Sequence, residues 1–382
     1  MTASIKIDDI KNIHKTNNID AIQVVVFFDE NLCAPAAILA ASLAETASQG
    51  RPVVLHVFCV GDFSEKFSEY IEKLTSSRFT FICRNIGNPF TKNDKIAYNN
   101  FLYCMRLCIG ELLDCDRVIY LDTDILVCGS LDDLYDLNIG NNIIAAVPDI
   151  EINEIVKGAN NSLINTGMTN VSMSDYCKET LGLTNDYFNS GVMLVNLQEW
   201  RNFKVKQKCN EFMNANILLI FCDQDALNYV LRDKVYFIDY KWNYYASSNE
   251  LIKLDDPNYS PKIVHFSGPS KPWSPLGDNN RFNIDYWKFA LSTSFGDHLL
   301  DKYFTRVSNE ITGLEYQISA KSYAIPINHH PFNMRLFAYI PLPILRLVAE
   351  FMCTFGSARS RRTGIAMWDI YKIKLKLSNN NK

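Results

Sequence analysis

No G-x-G-x-x-G turn and no G-x-x-x-x-G-K-[ST] loop occurs anywhere in the 382 residues. A dinucleotide oxidoreductase or a P-loop NTPase therefore loses its main support. Glycine and proline are sparse, at 16 and 13 residues, while 48% of the chain is hydrophobic and 21% charged, so collagen-like and disordered readings fail. The eleven cysteines are odd in number and show no repeated C-x-x-C or Cys/His ligand spacing. Cys59, Cys83, Cys104 and Cys108 sit inside apolar periodic stretches, and reduced, buried thiols in a reducing compartment are expected rather than a disulfide framework. The start, Met-Thr-Ala-Ser-Ile-Lys, lacks a basic region followed by an apolar one. The only candidate membrane segment, 336–355, is interrupted by Pro341, Pro343, Arg346 and Glu350, so a cytoplasmic chain that does not span a bilayer is expected.

The length suits one large domain with an appendage, or two domains. Net charge is −4, from 38 Lys+Arg and 42 Asp+Glu, but its distribution is uneven. Residues 321–382 hold ten basic and two acidic residues, a net of +8 that leaves −12 for the rest. The basic residues cluster at Arg359, Arg361 and Arg362 and alternate at Lys372, Lys374 and Lys376, beside apolar Leu336–Ile340 and Leu345–Val348. Such a tail suits a protein lying on an anionic inner leaflet, each basic residue near the surface contributing about 1 kcal/mol. A helical subdomain with a solvated basic face is the plainer alternative. Nucleic-acid binding is not expected, because the basic residues are confined to a terminal appendage of an acidic body.

Continuous apolar runs at 22–28, Val53–Val60, Phe79–Cys83 and Arg117–Leu121 alternate with helix-prone stretches at 34–47, Ser64–Thr75 and Asn100–Leu113. Strands that are apolar throughout, separated by helices, imply a parallel sheet covered on both faces, with ligands bound at the carboxyl ends of the strands. Residues 150–187 are polar and rich in Asn, Ser and Thr, which reads as a long loop. Beyond it come a strand at Phe188–Leu197, helices from Glu199 and from Asp223 to Leu231, and strands near Val235–Ile238 and Ile263–Phe266.

Asp122-Thr123-Asp124 follows the apolar run Val118–Leu121. On an extended segment residues i and i+2 point the same way, so the two carboxylates can share one hard cation, Mn²⁺ or Mg²⁺, with positions left for phosphate oxygens. Two solvated aspartates on an exposed turn are the structural alternative. His265-Phe266-Ser267-Gly268 with Lys271-Pro272-Trp273 follows a second short strand; His265 suits either a metal ligand or a satisfied structural residue, and Lys271 can neutralise a phosphate. Trp273 is expected to pack. Asp223-Gln224-Asp225 opens a helix, where an aspartate is first a cap, and Asn189 in Phe188-Asn189-Ser190-Gly191 is either a turn former or an amide aimed into the crevice.

The ordered set of Asp29-Glu30-Asn31, Arg106, Tyr120–Asp124, Phe188–Leu197 with Trp200-Arg201, Asp223–Asp225 and His265–Gly268 with Lys271–Trp273 resembles glycosyltransferase family 8, most of all the bacterial lipopolysaccharide galactosyl- and glucosyltransferases. The resemblance spans roughly 22–290 and implies an α/β, GT-A type (Rossmann-like) catalytic domain over 20–290, followed by a helical, basic region over 291–382. It implies a UDP-glucose or UDP-galactose donor, a divalent metal, usually Mn²⁺, retention of anomeric configuration, and a lipopolysaccharide or lipid-linked saccharide acceptor. By position, Asp122, Asp124 and His265 match the metal ligands, with Thr123 between them, and Asp29 and Asn31 match the uridine contacts. Arg106, Asp149, Asn189 and Gln224 match positions around the donor sugar, with Asp225 a further candidate for its hydroxyls, and Gly268 and Lys271 match those around the diphosphate. One departure is Leu32, where the family often has an aromatic residue suited to stacking on uracil; Phe28 is the expected substitute. Two rival functions use part of the same set: a metal-dependent nucleotidyltransferase and a non-catalytic UDP-sugar-binding module.

Overall fold

Runs of Val, Ile and Phe with no polar alternation emerge, in a computed structural model, as the buried strands of one large sheet. The structure describes residues 7–9 and 20–299, apart from breaks at 62–64, 158–162, 166–169, 184–185, 217–218, 247–258, 269–270, 274–280 and 297–298. The basic tail, with its expected membrane contact, lies outside the described residues. Tertiary contacts divide the chain into two units, Met1–His265 and Phe266–Lys382.

The large sheet of the first unit has eight strands: β1 (Ile7–Asp9), β2 (Ile22–Asp29), β3 (Val53–Val60), β4 (Phe79–Ile86), β5 (Arg117–Leu121), β7 (Ile144–Pro148), β10 (Phe188–Asn196) and β11 (Val235–Phe237). Their order is β1-β4-β3-β2-β5-β10-β7-β11. β4, β3, β2 and β5 are mutually parallel, as expected from their continuous apolar character. The rest corrects the all-parallel expectation: β10 runs antiparallel to both β5 and β7, and β1 runs antiparallel to β4. An inserted antiparallel strand carries the same buried apolar pattern as its parallel neighbours, so composition does not reveal its direction.

One face of the sheet, through Val25, Phe27, Phe58, Val118, Tyr120, Met193 and Val195, packs against Cys104, Leu107, Trp200, Phe212 and Leu227. The other face is covered by the helix Cys33–Gln49, whose alanines allow close approach and twelve of whose residues are buried. Its Ser42 hydroxyl accepts the N–H of Val127 at 3.2 Å, tying the helix to a smaller sheet of β6 (Ile125–Val127), β12 (Tyr244–Tyr245) and β13 (Ile263–His265). The helix expected over 100–113 is broken into Phe101–Cys104, a 3₁₀ segment Met105–Cys108 and Ile109–Leu112. The tighter turn lies at Arg106, the residue whose side chain enters the site, as is common where a helix is locally rewound for function.

Residues 150–187 are not a long loop. They contain the helix Ile150–Lys157, a hairpin of β8 (Leu163–Asn165) and β9 (Asn170–Ser172), and a turn of helix at Met173–Asp175 that widens to a π-helix over Tyr176–Thr180. Ser172 caps the turn by accepting the N–H of Asp175. In the second unit, the helix Arg281–Ser292 buries Tyr286 and Trp287; Trp273 packs on Tyr286 at 5.3 Å between ring centroids, and the Trp287 indole donates to the Pro272 carbonyl at 3.1 Å. Trp273 is thus a packing residue.

The pairing of β10 with β7 slips between Phe188 and Met193, and a side chain bonds the backbone where the slip begins. Asn228 accepts the Phe188 N–H at 2.8 Å and donates to the Phe188 carbonyl at 2.9 Å. Asn228→Ala strands both buried groups and should lower unfolding free energy by at least about 2 kcal/mol in urea titrations.

Candidate active site

Strand direction determines which residues meet. The carboxyl ends of β2, β5 and β7 release Asp29, Asp122 and Asp149, and because β10 is antiparallel its beginning, Asn189-Ser190-Gly191, lies at that same edge. The Asp122 N–H donates to the Gly191 carbonyl at 2.9 Å, and Asp149 N–H to the Tyr187 carbonyl at 2.7 Å. β13 pairs with β6 so that His265 faces Ile125, next to Asp124. Asp122, Thr123 and Asp124 form the turn between β5 and β6 rather than an extended segment, so the carboxylates converge by the turn and not by strand alternation. One ligand atom each from Asp122, Asp124 and His265 lies within 4.8 Å of the others. Two carboxylate oxygens and one imidazole nitrogen suit Mn²⁺ well and leave positions for oxygen ligands from a substrate.

This cluster is tightly enclosed. His265 is 3% exposed, and its Nε2 lies 3.3 Å from Asp124 Oδ1 and 4.0 Å from Asp122 Oδ2. A Cβ added to Gly191 would fall 2.4 Å from His265 Cε1 and 2.8 Å from Asp122 Oδ2, so only glycine fits between them. Asp122 is oriented from behind, its Oδ1 receiving the Tyr120 hydroxyl at 2.6 Å and Arg106 Nη2 at 3.1 Å, while Oδ2 faces the histidine. Arg106 lies over the Tyr120 ring at 4.9 Å, reaches Asp223 at 2.9 Å, and donates to the Ser190 carbonyl and hydroxyl at 2.9 and 2.8 Å.

The other expected residues have bonds of their own. Asn189 donates to Asp149 Oδ2 at 3.2 Å, which also receives the Tyr245 hydroxyl at 2.8 Å. Gln224 is half-buried and its Oε1 accepts the Ser190 N–H at 2.9 Å and hydroxyl at 3.1 Å, which fixes the direction of its amide. Asp29 accepts from the backbone and side-chain amides of Asn31 at 3.0 and 3.2 Å, forming a polar turn at the end of β2. Gly268 adopts a left-handed φ of 75°, and Lys271 donates to the Phe266 carbonyl at 2.6 Å; both belong to the second unit.

Two expectations are corrected. Asp225, expected at the donor hydroxyls, is fully enclosed: it accepts the hydroxyls of Tyr176 and Tyr187, each at 2.7 Å, and the N–H of Phe221. It ties the 150–187 segment to the helix carrying Gln224. Phe28 is only 2% exposed and packs on Phe67 at 5.1 Å, so it offers no face to a base, whereas Leu32 at 39% exposed remains an apolar surface. Asn243, Tyr245 and Tyr176 were missed by sequence reasoning. None belongs to a metal or catalytic spacing, and only the aromatic density of Trp242-Asn243-Tyr244-Tyr245 hinted at a buried segment.

A mixed α/β sheet with an Asp-x-Asp turn at its carboxyl edge defines a GT-A type fold, the architecture expected for the catalytic domain. The model of "Glycosyl transferase family 8" matches residues 23–277, and the chain belongs to that family. General stress protein A of Bacillus subtilis is 32% identical over 173 residues, covering 41% of this chain and 53% of that protein. The lipopolysaccharide 1,3-galactosyltransferase of Salmonella typhimurium is 34% identical over 168 residues, covering 42% of this chain and 45% of that protein. The chain thus spans about half the length of these curated relatives. The crystal structure of galactosyltransferase LgtC in complex with donor and acceptor sugar analogs superposes with a TM-score of 0.57 at 23% identity, over 72% of this chain and 96% of LgtC, a likeness of fold. The described cysteines are all free thiols, most of them buried, and no helix among the described residues is long and apolar enough to cross a membrane.

Burial raises the Asp223 carboxyl from an ordinary 3.8 to about 6, against the opposing pull of Arg106. The native state then binds a proton that the unfolded chain does not hold between those values, so this residue's contribution to stability rises as pH falls through 6 and levels off below 3.8. Denaturation of wild type and Asp223→Asn across pH 4–8 should show wild type gaining relative to the variant in that window.

Proposed function

We propose that the protein is a metal-dependent, retaining hexosyltransferase that moves glucose or galactose from a UDP-sugar to a saccharide acceptor, lipopolysaccharide core or another lipid-linked glycan. The observation that carries the reading is the convergence of Asp122, Asp124 and His265 beside Asn189, Arg106 and Gln224 at one edge of the sheet. A bound Mn²⁺ or Mg²⁺ would neutralise the diphosphate and act as Lewis acid toward its oxygens.

The chain's own residues supply orientation and charge. Asp29 and Asn31 present polar atoms suited to uridine, with Leu32 as an apolar surface in place of a stacking ring. Asp149 and Asn189 hold the donor hydroxyls; Gln224, its carbonyl oxygen engaged by Ser190 and its amide beside the Tyr187 hydroxyl, is proposed near the anomeric centre. Arg106 and the Tyr120 hydroxyl hold Asp122 in its orientation. Lys271 and Gly268 are proposed at the diphosphate on sequence alone. The anomeric carbon–oxygen bond to UDP breaks with its electron pair leaving on the diphosphate, the acceptor oxygen bonds to the same face, and the acceptor proton passes to the departing phosphate. A glycosidase needs two carboxylates flanking the bond but no metal cluster of this kind.

Purified protein with Mn²⁺ should release UDP slowly from UDP-glucose or UDP-galactose without an acceptor, and Asp124→Ala should lower that release more than about 100-fold while leaving the fold intact. Pyrophosphate-bond chemistry in place of sugar release would identify a nucleotidyltransferase, and UDP-sugar binding without turnover a binding module. Retained Mn²⁺-dependent release in Asp124→Ala would refute the metal assignment.

The basic tail is proposed as the contact with an anionic cytoplasmic leaflet, which would hold the enzyme near a membrane-borne acceptor. Deleting 331–382 should abolish a salt-sensitive association with vesicles containing anionic lipid, measured by co-sedimentation; unchanged association would refute this role.

A further inference from the structure

The amide of Asn189 can adopt only one orientation. Its Oδ1 accepts the backbone N–H of Gly191 at 2.9 Å, a group that can only donate, and its Nδ2 donates to the Asp149 carboxylate at 3.2 Å. Asn243 is wholly buried and approaches that same Asn189 Oδ1 at 2.9 Å. An amide oxygen there would meet another oxygen, so the Asn243 atom is Nδ2, a donor. Its Oδ1 is therefore the atom that faces His265 Nδ1 at 2.9 Å. An amide oxygen only accepts, hence Nδ1 carries a proton and, in the neutral ring that binds a metal, the lone pair is on Nε2. Nε2 is the nitrogen turned toward Asp124 Oδ1 and Asp122 Oδ2.

We infer that Asn243 is a positioning residue: through the one-way chain from Gly191 N–H and Asp149 to Asn189, Asn243 and His265, it holds the histidine in the Nδ1–H tautomer and presents Nε2 to a divalent cation. The inference rests on the metal reading of the site. It also adds a consequence that reading does not contain. The amide that orients the metal ligand is hydrogen-bonded to Asn189, a residue proposed at the donor hydroxyls, so metal and sugar positions share one buried polar network. An outer partner of a metal-bound histidine fixes the ring and its tautomer, and its loss typically costs 10- to 100-fold in metal affinity. The asparagine does more than a carboxylate could, because it accepts from His265 and donates to Asn189 without adding a charge to an already acidic cluster.

The tautomer is read directly from ¹⁵N-histidine NMR of the full, metal-free chain under mildly alkaline conditions, with His265 assigned by its loss in His265→Gln. A pyrrole-type Nδ1 and pyridine-type Nε2 are expected; the reverse, or a mixture, overturns the inference whatever the metal does and whether or not any variant folds. Mn²⁺ binding, followed by the EPR signal of the free ion, should weaken about 10- to 100-fold in Asn243→Leu. Asn243→Asp should keep the affinity, since a carboxylate still accepts from Nδ1–H, yet lose turnover with the UDP-sugar because it cannot donate to Asn189. Equal Mn²⁺ affinity in wild type and Asn243→Leu overturns the inference. Failure of wild type to bind Mn²⁺ while showing the expected tautomer overturns the metal reading itself, and the ligand-presenting role with it.

Discussion

The close approach of one backbone to one turn organises the site: the Gly191 carbonyl accepts the N–H of Asp122, and the space where a side chain would stand is filled by His265 and the Asp122 carboxylate. Without a Cβ at that position, three elements meet within hydrogen-bonding distance, namely the end of β5, the start of β10 and the end of β13. The approach exists because β10 is inserted antiparallel between two strands that run the other way. A parallel strand of the same composition would carry Asn189 and Ser190 to the opposite edge of the sheet, away from the carboxylates they now support.

Charge is balanced at short range rather than over the chain. Asp122 and Asp223 flank Arg106, and the guanidinium lies on the Tyr120 ring while also holding the Ser190 carbonyl. Burying one arginine between two carboxylates costs solvation of all three, and breaking such a cluster is more damaging than never having built it. The remaining negative charge is left on Asp122 Oδ2 and Asp124, on the side away from the arginine. That asymmetry favours a divalent cation there.

Much of the fold was legible because its signal is local. The strands Val53–Val60 and Arg117–Leu121 were located to the residue, and β2, β10 and the helix Cys222–Leu231 within one residue, since buried runs and helix-opening aspartates announce themselves. The Asp-x-Asp pair was found for the same reason, although the turn that gathers it was taken for extended chain. What escaped depends on contacts distant in sequence. The polar stretch 150–187 reads as a loop because its Asn, Ser and Thr residues favour turns, yet Tyr176 and Tyr187 anchor it by bonding Asp225. Asp225 itself looked like a site residue beside Gln224; helical geometry sends adjacent side chains in different directions, Gln224 to Ser190 and Asp225 to Tyr176 and Tyr187.

Asn243 shows the deeper limit of reading by residue type. Carboxylates, histidines and lysines advertise chemistry by their charge, whereas a buried amide has no such signature, and its value lies in having a donor and an acceptor on one planar group. In a network closed at one end by a backbone N–H and at the other by a carboxylate, each amide has only one orientation that avoids a clash of like dipoles. The order therefore propagates without any charge moving, from strand β10 to the imidazole. A cluster of carboxylates arranged without such a relay would leave the histidine free to present either nitrogen. The site is selective for a cation to the extent that its neutral residues, and not only its charged ones, are held in place.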